Sequence, residues 1–164
     1  MLNVRAGPSA GTDILDRLAP DQEGVEVIGL SDDGKWGMVA VPGSNGWVAM
    51  RYLAAERMSG DTLPRPLQCY GTEPFWAITF GVDGVAYSAP AEELPLSVRS
   101  ESVLADGWQA MLNAGVRGDW DVEIRRGQCS DGMSDRLFGF SMKLRQGGAG
   151  AMQPLSGCCT LDIR

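Results

Sequence analysis

Glu73, Asp131 and Asp135 are the side chains whose type and setting could carry chemistry in this sequence. Asp131 and Asp135 lie in Cys129-Ser-Asp-Gly-Met-Ser-Asp135, and Glu73 lies in Gly71-Thr-Glu-Pro-Phe-Trp76. Two carboxylates held at a suitable separation can serve as general acid and base in glycoside hydrolysis. The same acids, with the carbonyls of Ser130 and Ser134, can coordinate calcium, although they lack the spacing of a calcium-binding loop. The plainer role is structural. Asp131-Gly132 is a turn signal, in which the Asp side chain accepts backbone N–H groups and the glycine takes a positive φ. That turn is the expectation here, ahead of calcium and of catalysis.

The chain has no histidine. Ser-His and Cys-His nucleophile systems, histidine-ligated zinc and the commonest general base are therefore excluded. The four cysteines, Cys69, Cys129, Cys158 and Cys159, are even in number and bracket one region, as a disulfide framework does. No Cys-x-x-Cys knuckle favours zinc instead. Period-two alternation in the last strand, Leu155 to Ile163, places Cys159 with Leu155, Leu161 and Ile163 on the core face. It places Cys158 with Thr160 and Asp162 on the outer face. Neighbours pointing opposite ways take separate partners, so a 158–159 bridge is disfavoured, while 69–158/129–159 and 69–159/129–158 both stay open. A reactive Cys158 thiol would need an electropositive setting, and only Arg164 is near in sequence.

Aromatic side chains are the other candidates for ligand contact. Trp36 and Tyr52, with Trp47, can line a groove for a peptide or glycan. Trp47 is expected in a core, as are Trp76 and Trp120 from their strand phase, whereas Trp36 follows an exposed turn.

The elements that must position these groups read as strands throughout. Up to residue 54, short apolar stretches recur between turns at Gly7-Pro-Ser9, Ser31-Asp-Asp-Gly34 and Pro42-Gly-Ser-Asn-Gly46, which indicates a small all-β barrel. Residues 55–67 read as a linker, stiffened by Pro64-Arg-Pro66. A second domain follows over 68–164. In it Trp76, Ile78 and Phe80 share a phase, Val82-Asp-Gly-Val85 makes a turn, and Trp120, Val122 and Ile124 alternate with charges. Phe138, Phe140, Met142 and Leu144 form another alternating strand. Residues 101–114 fit a short helix, with Val103, Trp108, Met111 and Leu112 on one face, as well as they fit a strand.

At 164 residues, with 44% hydrophobic and 21% charged residues, the chain can form one sizeable domain or two small ones. Its net charge of −7 is spread along the whole length and leaves no basic stripe for nucleic acid or an anionic membrane. No run approaches the roughly 18 apolar residues of a membrane helix. No leader opens the sequence, which fits a cytosolic protein or a secreted one whose leader was removed, and the cysteines favour the latter.

Two resemblances sharpen this. Leu2-Asn-Val-Arg-Ala-Gly-Pro-Ser9, Lys35-Trp-Gly-Met-Val39, Gly46-Trp-Val48 and Tyr52-Leu53 resemble the bacterial SH3-like (SH3b) domain over residues 1–54. Gly37 and Met38 depart from the aromatic and lysine often found there. Gly71-Thr-Glu-Pro-Phe-Trp76, Cys129-Ser-Asp-Gly-Met-Ser-Asp135 and Leu155-Ser-Gly-Cys-Cys159 resemble three signatures of an uncharacterised family of bacterial envelope proteins and lipoproteins. These resemblances imply an SH3-like barrel followed by a disulfide-stabilised β-barrel domain, periplasmic or secreted, with a lipid anchor upstream of residue 1 compatible with both. The expected function is non-catalytic binding of peptidoglycan, another glycan or an envelope protein, with Trp36, Tyr52, Glu73, Asp131 and Asp135 at the ligand and no cofactor. A carboxylate-based cell-wall hydrolase and an inhibitor of lysozyme-type enzymes are the alternatives.

Overall fold

The computed structural model describes residues 1–56, 60–147 and 153–162. Apart from two short 3-10 turns, its regular structure is β-strand. The first unit is a five-stranded antiparallel sheet of β1 (Leu2–Arg5), β2 (Ile14–Leu18), β3 (Gly29–Leu30), β4 (Trp36–Val41) and β5 (Ser44–Ala49), in the order β2-β1-β5-β4-β3. Val4, Leu18, Val39, Val41 and Val48 form its core. The β4–β5 turn is tighter than the sequence implied, because Gly43 takes φ 72° and the strand resumes at Ser44. Gly46 therefore lies inside β5, where a Cβ would come within 2.4 Å of a Val4 methyl. Trp47 is not in the core: it is half-buried, opposite Met38 and Arg5, on the face away from the valines. Its phase is set by Val48, which takes the inward position.

The second unit is a closed barrel of β6 (Leu67–Thr72), β7 (Phe75–Phe80), β8 (Val85–Ala89), β9 (Glu92–Leu104), β10 (Gly107–Asn113), β11 (Asp119–Ser130), β12 (Leu137–Arg145) and β13 (Leu155–Thr160). Each strand pairs antiparallel with the next, and β13 returns to pair with β6. Closure leaves no free sheet edge in the barrel. Inward side chains fill it, Trp108 and Trp120 being the largest fully buried ones, and Tyr87 meets Trp120 edge-on at 5.0 Å.

Residues 101–114 are strand. They form the end of β9 and all of β10, with the turn at Ala105–Asp106. Trp108, Ala110 and Leu112 point inward, while Val103 is 49% exposed and Met111 only half-buried, so the apparent helical face splits across two sides of the sheet. Gly107 permits this path: a Cβ there would lie 1.9 Å from the Ile124 carbonyl oxygen.

The segment read as a linker is not free of the barrel. Leu63 is buried in the barrel core, and Arg65 bonds the Leu63 carbonyl at 2.9 Å and pairs with Glu101 at 2.6 Å. The two units also meet directly. The Asn45 amide accepts from the Leu137 N–H at 2.6 Å and donates to the Leu137 carbonyl at 3.1 Å. Glu26, 8% exposed, accepts from the Thr160 hydroxyl at 2.5 Å and the Leu161 N–H at 3.0 Å. Gly139 lies beneath Glu26 and Ile28, where a Cβ would come within 2.4 Å of the Glu26 carboxylate.

Candidate functional site

The barrel is closed by a short seam. β13 and β6 pair at only three positions, Cys158↔Tyr70, Cys159↔Cys69 and Thr160↔Gln68. The Cys69–Cys159 disulfide joins the middle pair inside the barrel, where both residues are fully buried. First and last strands are thus linked covalently where few ladder hydrogen bonds hold them. Cys129 pairs with Cys158, so of the two open connectivities the chain adopts 69–159/129–158.

Beyond Tyr70 and Cys158 the pairing stops, and a cleft of about 260 Å³ opens on the outer face of the barrel. Gly71 and Thr72 of the first signature border it, as do Cys129, Ser130 and Asp131 of the second and Ser156, Gly157 and Cys158 of the third. Tyr70, Ser141, Met142 and Lys143 complete the lining. Three segments far apart in sequence therefore meet at one place.

Glycines explain part of the convergence. On the core side, the Trp76 indole takes the space that side chains at Gly71 and Gly157 would need: a Cβ on Gly71 would lie 1.9 Å from Nε1, and one on Gly157 would lie 3.0 Å from Cζ2 and 2.1 Å from the Tyr70 carbonyl oxygen. Above, β11 breaks its register with β12 between Arg126 and Cys129, and the Cys129–Cys158 bridge spans from β11 to β13, the two neighbours of β12. Cys158 does face outward, as alternation requires, yet it is only 2% exposed. Covalent attachment to the end of β11 accounts for that burial.

Asp131 forms the turn expected of it. Its Oδ1 accepts the N–H groups of Met133 and Ser134, both at 2.9 Å, the Ser134 hydroxyl adds contacts at 3.3 and 3.2 Å, and Gly132 has φ 72°. These bonds, the Ser134 N–H first, hold the Asp131 carboxyl below the ordinary carboxylate range. A general acid must keep its proton near the working pH, and this environment acts in the opposite direction. Thr72 ties the first signature to the second through its hydroxyl and the Asp131 carbonyl, 3.5 Å apart. Glu73 and Asp135 are exposed and do not line the cleft. Among the described residues, no three or more cysteine or carboxylate side chains gather where they could hold a metal ion.

Trp36 and Tyr52 belong to the other unit. Trp36 is half-buried on β4, and Tyr52 is 62% exposed beside Arg51, whose guanidinium lies 4.8 Å from the ring centre. Neither borders the cleft. Of the five ligand-contact candidates from the sequence, only Asp131 does so. Tyr70, Ser141, Lys143 and Ser156 were missed. Their signal was present but incomplete: Ser141 and Tyr70 stand directly opposite Cys158, and Lys143 opposite Ser156, so all share its outward phase. Strand partners, which local alternation does not supply, were needed to group them.

The chain matches no family model, no curated protein and no solved structure.

Proposed function

We propose that this chain is a non-catalytic binding protein of the bacterial envelope that holds a peptidoglycan fragment or a related glycan in the seam cleft. The observation that carries this reading is the meeting of all three signatures around one outer-face cleft that offers many hydroxyls and no pair of free carboxylates. Hydroxyls both donate and accept, which suits a ligand that is itself covered in hydroxyl and amide groups. A rigid border serves binding by reducing the ordering cost, and here one disulfide lies in the cleft lining and another holds the seam beneath it. Two disulfides also fit a protein that folds in an oxidising compartment. Among the described residues no helix is long and apolar enough to cross a membrane.

Calorimetric titration with soluble peptidoglycan fragments tests the proposal, and saturable heat is expected. Absence of heat, together with capture of an envelope protein in its place, would replace the glycan by a protein partner. Turbidity clearing of cell walls that disappears in Asp131→Asn would replace binding by hydrolysis.

A further inference from the structure

Among the described residues, Lys143 is the single cation bordering the cleft. It stands directly opposite Glu123 on β11, but Glu123 is taken by Arg125, whose Nε donates to it at 2.9 Å. On its other side Lys143 faces the uncharged Ser156 of β13. Lys143 has no ion pair among the described residues, whereas its neighbour on the same face of β12, Arg145, is paired with Asp121. The carboxylate across the cleft, Asp131, is committed to the N–H groups of its own turn. An ammonium left unpaired in a chain of net charge −7, beside serine and threonine hydroxyls, is suited to an incoming anion.

We infer that the cleft selects a small polar ligand by its carboxylate, with Lys143 forming the ion pair and the Ser141 and Ser156 hydroxyls completing the anion's hydrogen bonds. The inference rests on the binding function proposed above and adds the chemical class of the recognised group. Two sources can present that group, an acidic sugar or the C-terminus of a short peptide.

Titration followed by backbone amide shifts, with two matched probe pairs, tests the inference and separates the sources. The pairs are glucuronic acid with glucose, and acetyl-alanyl-alanine with its C-terminal amide. At least one acid should bind about tenfold or more tighter than its neutral partner, and Lys143→Met should remove that preference. Preference in the first pair alone assigns a sugar carboxylate, and in the second alone a peptide carboxylate. Lys143 is exposed, so the variant should keep the unfolding temperature of the parent. Equal binding of acid and neutral probes overturns the role of the carboxylate while leaving the binding function in place, as does an acid preference that survives Lys143→Met. If no probe binds while peptidoglycan fragments still give heat, the carboxylate inference again falls alone. If the fragments give none either, both fall.

Discussion

The Thr160 hydroxyl donates to the Glu26 carboxylate at 2.5 Å, joining the small sheet to the last strand of the barrel across 134 positions of sequence. Thr160 also receives an Arg136 N–H at 3.2 Å, so a polar chain runs through the junction. One oxygen of Glu26 and the Nε of Arg136 are buried there without a partner among the described residues. Burial raises the Glu26 carboxyl above its ordinary value of 4.5, against the lowering effects of Thr160, the Leu161 and Asp162 backbone and the Arg136 charge.

A raised value means that the folded chain binds this proton more tightly than the unfolded chain does. The stability contributed is complete below the ordinary value and is lost as pH rises through the raised one. Urea unfolding across pH 4 to 8 should therefore show a declining component in the parent that Glu26→Gln removes, since the amide keeps an acceptor for Thr160 and carries no charge. An unchanged slope in the variant would place the pH dependence elsewhere.

Loss of the outer bridge should weaken the fold without opening the barrel. The Cys129–Cys158 disulfide closes a separation of 29 residues, and the double serine variant should lose about 3–4 kcal/mol by the chain-entropy model. Chemical denaturation measures this. Far-ultraviolet dichroism of the variant should remain that of a β-protein, because Cys69–Cys159 still holds the seam.

Two glycines of the signatures should behave differently. Gly157→Ala puts a methyl 2.1 Å from a backbone oxygen and should cost about 3 kcal/mol or more. Gly132→Ala has open space around it but φ 72°, and should cost only about 1–2 kcal/mol. Thermal unfolding of the two variants ranks them. A larger loss at Gly132 would contradict the close packing between β13 and β6.

Much of the barrel was legible because its strands bury one face only. Trp120, Val122 and Ile124 on β11 and Phe140, Met142 and Leu144 on β12 alternate cleanly and lie inward as read. Opposite phases at Cys158 and Cys159 likewise implied separate bridges. What stayed open or unread depended on distant partners. Over 101–114, apolar residues from both faces of a hairpin mimic a helical stripe until β11 is placed beside them. Glu26, between Val25 and Val27, carries no local sign of burial, and it is the distant Thr160 and Leu161 at the end of β13 that take its carboxylate. Lys143 and Tyr70 join Asp131 in one cleft only because β12, β13 and β6 are neighbours around the closed barrel.

The most direct test of the central claim is the map of backbone amide shifts on titration with soluble peptidoglycan fragments. Shifts should cluster at residues 70–72, 129–131, 141–143 and 156–158, the segments that border the cleft. Shifts confined to the small sheet around Trp36 and Tyr52, or none at saturating ligand, would contradict the assignment of the seam cleft as the binding site.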